Sequence, residues 1–259
     1  MPSTVFVPMA TTAGSCQLKP AASMRLCAIH QPNLLPRLST LAKLYAADVW
    51  VILDDVQFVR RDYQHRARLA ALDAPERQHW LSLETHLPQG RATLIRDARL
   101  VDPQRAARRL RQLPAQHYHS SPHWRLLHAA LEPVVRTAAE SVATATVAEA
   151  TTQALLDLLD WRRTIVRSSD LAVSSDRSAR LADLTAAADA DIYLCGTGGL
   201  RYLDYRPFVK RKLDVYAFRP PIATEGIWTS AAKISALWAL AAYGPSTVKA
   251  AFDSMRVAA

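Results

Sequence analysis

The sequence predicts an α/β fold: a mainly parallel sheet with flanking helices and a helical insertion. Three observations predict it. Short, largely apolar runs recur at Leu26–Ile29, Val49–Leu53, Thr164–Val166, Ile192–Cys195 and Asp214–Phe218, as in strands buried on both faces. Between the first two, Leu34, Leu38, Leu41 and Tyr45 repeat at helical spacing. Pro32 and Pro36 cannot sit inside a central strand or a helix, so 30–36 is a loop running into a helix start. Strand, loop, helix and strand in about 30 residues make a βαβ unit with a right-handed crossover.

The remaining elements follow in order. Residues 1–23 are rich in small residues, Pro, Thr and Ser, and read as a disordered extension. They lack a basic segment followed by an apolar core, so no secretory leader is expected. Met24 is an alternative start. The rest, 24–259, reads as one domain. Residues 62–78 are polar and patternless. Trp80–Leu83 and Leu94–Leu100 read as strands around a Pro/Gly turn at His86–Gly90. Asp102 and Pro103 open a helix as N-cap and first residue. A second helix follows Ser121-Pro122, with Trp124, Leu127, Leu131, Val134 and Val135 on one face, and a third spans Val147–Trp161. Together 103–161 form the helical insertion. Ser178–Ala190 and Ala231–Tyr243 are helical, the latter ended by Gly244 with Pro245 beyond.

Composition narrows the class. The chain has 259 residues, is 50% apolar and 21% charged, and carries a net charge of +9. It can bury a sizeable core. No apolar run approaches the roughly 20 residues that span a bilayer. Cys16, Cys27 and Cys195 have no paired spacing, which argues against a zinc site or disulfide framework and fits a reducing cytoplasm. The charge favours anionic small molecules or an acidic partner. The arginines are scattered with no basic-aromatic array, so nucleic acid is not expected.

In parallel α/β sheets ligands bind at the carboxyl ends of the strands. Three polar clusters fall there: His30-Gln31 with Asn33; Asp54-Asp55 with Gln57, Arg60, Arg61, Tyr63, Gln64 and Arg66; and Cys195 followed by Gly196, Gly198 and Gly199, with Tyr202. Cys195 before a glycine turn reads as a nucleophile beside an oxyanion pocket, with His30 as its base and Asp54 or Asp55 orienting the ring. It equally reads as a small buried residue. Gly196–Gly199 lacks the lysine of a phosphate loop and the full dinucleotide fingerprint. No metal and no cofactor are expected.

At these residues the chain resembles the WbqC-like family. The match is carried by A-I-H-Q-P-N-x-L-P (28–36), L-D-D-V-Q-F-x-R-R-x-Y-Q (53–64), R-S-S-D-L (167–171) with R-L-x-x-L (180–184), and Y-L-C-G-x-G-G-x-x-Y-L (193–203). The resemblance implies a bacterial cytoplasmic protein associated with surface-polysaccharide or specialised-metabolite biosynthesis. The chain departs from the family pattern at Arg37, where an aromatic is usual, at His65 and Ala67, where asparagines are usual, and at Cys195, often serine. The first segment also resembles, at the level of fold, the start of HxGH nucleotidyltransferases and ligases, although Asn33 and Leu34 stand where a second histidine belongs. Three functions compete. One is acyl or aminoacyl transfer from a thioester or other activated donor to an amine, with an acyl carrier protein as partner. Another is a nucleotide-dependent transferase or ligase, with His30, Lys43 and the glycine turn around the phosphates of a nucleotide-linked donor. The last is a non-catalytic binding protein.

Overall fold

The computed structural model describes residues 6–8, 24–223 and 225–255. In chain order the strands are β1 (Phe6–Pro8), β2 (Leu26–His30), β3 (Val49–Ile52), β4 (Arg66–Ala70), β5 (Gln78–Ser82), β6 (Thr85–His86), β7 (Arg99–Leu100), β8 (Thr164–Arg167), β9 (Ile192–Gly196) and β10 (Asp214–Phe218). The helices are α1 (Leu38–Ala46), α2 (Pro103–Tyr118), α3 (Trp124–Glu140), α4 (Thr144–Asp157), α5 (Arg177–Ala187), α6 (Thr197–Leu200), α7 (Arg206–Lys210), α8 (Ala236–Tyr243) and α9 (Pro245–Asp253).

The main sheet runs β1-β10-β9-β2-β3-β8. All its pairings are parallel except β1 with β10. Counting the parallel strands in chain order gives the order 3-2-1-4-5 from β8 to β10, the arrangement of a doubly wound sheet. Strand alternation divides the core in two. Ala28, Trp50, Ile52, Leu194 and Phe218 face α1, α8 and the insertion helices. Cys27, Ile29, Val51, Tyr193, Cys195 and Val215 face Ala182 and Leu184 of α5 and Phe208 of α7. Helices on both faces bury the inner strands twice, which is why β2, β3 and β9 are largely apolar, whereas the edge strand β8, expected to be buried, is mostly exposed.

Local chemistry sets the helix ends. Asp102 accepts from the Arg105 amide to open α2, and Asp176 does the same for α5 through Ala179. Gly244 ends α8 at φ +83°, and a Cβ there would stand 2.6 Å from the His123 ring. Only glycine meets both demands.

Several expectations change. Phe6–Pro8, read above as part of a structureless extension, pair with β10; the rest of 1–23 lies outside the described residues. Segment 62–78 holds β4, which the charged alternation R-A-R-L-A concealed. It pairs with β5, and its flank is tied down by Tyr118 and by α8 through Ser235. Leu94–Leu100 is not one strand. Its amides turn back to Val56 and Asp54 carbonyls, leaving a 3-10 turn and the two-residue β7. The last helical segment begins at Ala236, five residues later than expected, because Ser230 adopts φ +52° and Ser235 caps the helix. The excursion between the neighbouring strands β3 and β8 is also larger than 103–161: it spans 53–163 and includes β4 to β7.

Trp50 of β3 is 1% exposed, between the sheet and the helices of the α1 face. Trp50→Ala is expected to cost about 3–5 kcal/mol in urea unfolding with an unchanged slope, and Trp50→Phe less than half of that.

Candidate functional site

A cavity of about 870 Å³ opens at the carboxyl ends of β2 and β9. These are the two strands between which the sheet order reverses. The connection from β2 leaves over one face through α1, and that from β9 over the other through α6 and α7, so the chain opens a crevice between them. The walls come from both sides: His30, Gln31 and Asn33 after β2; Ser39, Thr40 and Lys43 of α1; Arg177, Arg180 and Leu181 of α5; Gly196–Gly199 after β9; and Phe218 and Pro220 after β10.

Lys43 sits deepest in the chemistry of this cavity. It is 6% exposed. Its ammonium donates to the Ile29 carbonyl at 3.2 Å and to His30 Nδ1 at 3.3 Å, and no carboxylate pairs with it among the described residues. An ammonium has only donors, so His30 Nδ1 accepts and the ring proton lies on Nε2, which donates to Asn33 Oδ1 at 3.2 Å. Burial, then the charges of Lys43 and Arg37, push the His30 pKa well below its usual value, so the ring is neutral. Burial lowers Lys43 to about 8.

Arg37, Arg177 and Arg180 also line the cavity. Arg37 donates to the Ala232 carbonyl through Nη1, but its buried Nε has no hydrogen-bond partner among the described residues; nor does that of Arg180. Arg180 is held by Asp55, which also accepts from Ser168. Burial raises the Asp55 pKa, but those two partners outweigh it and keep the carboxyl below its ordinary range. Four cations thus line the cavity (Arg37, Lys43, Arg177 and Arg180) against one carboxylate, Asp62.

The residues expected from sequence divide sharply. His30, Gln31, Asn33, Gly196, Gly198 and Gly199 line the cavity. Gln64 is buried beneath it and donates to Gln31 at 2.7 Å. Asp55 acts on it through Arg180, and Tyr63 through Arg37, whose guanidinium lies 4.3 Å from the ring centre. Asp54 does not reach it: its carboxylate accepts from Ser168 Oγ, the Ser169 amide and Ser169 Oγ, tying the end of β3 to that of β8. Gln57 is exposed and donates to the Arg91 carbonyl. Arg60 and Arg61 are exposed, Arg66 stacks on Trp80, and Tyr202 is 67% exposed with Arg177 over its ring.

Cys195 is not brought to His30. It projects with Tyr193 into the α5 face, while His30 points with Ala28 toward α1. It is 1% exposed, its sulfur donates to the Gly196 carbonyl and also bonds with the Tyr193 side chain, and burial raises its pKa. A Cβ on Gly199 would stand 3.0 Å from that sulfur, so the position requires a small residue under a closely packed turn. Sequence reasoning passed over Arg37, Arg177 and Arg180 as site residues. The available signals were Arg180 at the head of the R-L-x-x-L motif and the spacing of Arg177 and Arg180, three apart at the start of a helix. Among the described residues no group of three or more His, Cys, Asp or Glu is placed to hold a metal ion, and no helix is long and apolar enough to cross a membrane.

The Lys43 geometry has a measurable consequence. Below pH 8 the side chain is charged in both states and the folded state bears the cost of burying it. Between about 8 and 10.5 the folded chain has released a proton that the unfolded chain still holds. Stability therefore rises with pH across that window, by roughly 3 kcal/mol for this group. Urea midpoints of the wild type and Lys43→Met across the window should differ most at neutral pH, with the variant more stable, and converge at high pH.

No curated protein and no solved structure matches the chain. The family model described as the WbqC-like protein family matches residues 31–225, from the first loop of the cavity to beyond Pro220. More than half of the sequence, including most of the cavity wall, follows that pattern, and the chain belongs to the WbqC-like protein family.

Proposed function

We propose that this protein is a transferase or ligase that binds the phosphate groups of a nucleotide or nucleotide-linked donor and passes an activated group to a second small molecule. The observation that carries the reading is the buried Lys43 ammonium without a counter-ion, in a cavity at the point where a doubly wound sheet reverses. Burying an uncompensated charge is costly. A bound anion supplies the missing partner, and the unsatisfied N–H groups of Arg37 and Arg180 point to several acceptor oxygens rather than one.

Each residue then has a role. Lys43, Arg37, Arg177 and Arg180 hold the phosphates and neutralise charge that develops on them during transfer. Asp55 fixes the Arg180 fork. Asn33 holds the His30 tautomer. Once Lys43 turns to the phosphate, His30 Nδ1 is released to accept the proton of the attacking group. The glycine turn after β9 lets the donor approach the backbone closely. Such an enzyme fits a biosynthetic pathway of the kind the family resemblance implies. Acyl transfer through Cys195 has less support, because that thiol lies outside the cavity wall and away from His30.

Calorimetric titration and thermal shift with ATP, pyrophosphate and nucleotide sugars test the reading. A ligand of the folded state raises the melting point. Lys43→Met and Arg180→Gln should each weaken binding by about tenfold to a hundredfold, the loss of one charge-assisted contact. Affinity should fall as pH rises through about 8, where Lys43 loses its proton. Cys195→Ser should bind as the wild type does. Full binding by Lys43→Met, or loss of binding by Cys195→Ser alone, would overturn the assignment.

A further inference from the structure

Outside the cavity, the β4–β5 hairpin carries a feature that the proposed chemistry does not use. Arg66 and Arg68 lie two apart on one face of β4, and Trp80 stands opposite Arg68 on β5. Both guanidinium groups lie over the Trp80 ring, at 4.4 and 4.5 Å from its centre. Tyr63 follows with its ring centre 6.0 Å from that of Trp80, and Arg37 lies 4.3 Å over Tyr63. Arg37 also lines the cavity. A contiguous series of arginines and aromatic rings therefore runs from the hairpin to the cavity mouth. Its five members include no carboxylate, on a chain of net charge +9. Trp80, Arg66 and Arg68 are all partly exposed.

We propose that this series is a track for single-stranded nucleic acid, along which a strand lies with its terminal nucleotide directed at the cavity. Guanidinium planes backed by aromatic rings are stacking surfaces for unpaired bases, and the arginine edges meet the phosphates between them. A duplex hides its base faces and cannot use such plates. An acidic carrier protein would use the charges but leave the aromatic surfaces without a role. The proposal goes beyond the reading of the cavity and does not depend on it, because binding is measured on the hairpin.

Fluorescence anisotropy with labelled single strands of about 12 nucleotides, one RNA and one DNA of the same mixed sequence, tests it. The wild type should bind at least one of them at low salt, with affinity falling linearly on a log–log salt plot. Trp80→Ala should weaken binding about tenfold or more. Arg68→Gln, which keeps the strand pairing, should weaken it and lower the salt slope by about 0.7. Lys210→Gln on α7 removes the same charge from the far side of the sheet and should leave binding unchanged. Melting curves show which variants are folded, and Arg68→Gln decides the matter if Trp80→Ala is not. A preference for RNA or for DNA names which strand is the partner. The proposal is overturned if neither strand binds, if Arg68→Gln binds with an unchanged salt slope, or if only an acidic carrier protein binds at these residues.

Discussion

The reversal of sheet order between β2 and β9 is the constraint on which the rest of the molecule depends. Parallel strands need crossovers, and crossovers from two strands running outward in opposite directions leave over opposite faces. The helices cannot close over the gap between them. That gap is where the backbone ends of β2 and β9 are exposed to ligand, and where α1 delivers Lys43 from one face and α5 delivers Arg177 and Arg180 from the other. The site is thus made by topology first and by side chains second.

The electrostatics follow from the same geometry. Lys43 lies where α1 crosses the end of β2, largely buried and, among the described residues, with no carboxylate to pair with it. Its bond to His30 settles the histidine tautomer, and Asn33 completes the arrangement. The acidic groups nearby are already engaged. Asp55 holds Arg180, and Asp54 binds two serines to clamp β3 to β8. A cavity lined by four cations and one carboxylate, with Asp54 and Asp55 engaged elsewhere, is built for anions.

Much of the fold was legible because it rests on local signals. Buried parallel strands are apolar runs, the proline-bounded loop excludes alternatives, and the helix caps Asp102 and Gly244 act within a turn of their own residues. The expected elements that failed were those decided by distant partners. β4 is a charged segment that becomes a strand because β5, α2 and α8 cover it. Phe6–Pro8 joins the sheet only because β10 offers an open edge.

For the site, sequence by itself determined that polar residues would gather after the strands, and His30, Asn33 and the glycines were found that way. Side-chain direction was beyond its reach. The period of two along a strand puts His30 and Cys195 on opposite faces once the register of β2 and β9 is known, and that register comes only from pairing across more than 160 residues. Likewise Arg37, Tyr63, Arg68 and Trp80 are separated in the chain yet stack in space. A basic-aromatic series assembled from a loop and two strands leaves no continuous signature in sequence, because the contacts that define it are made by folding.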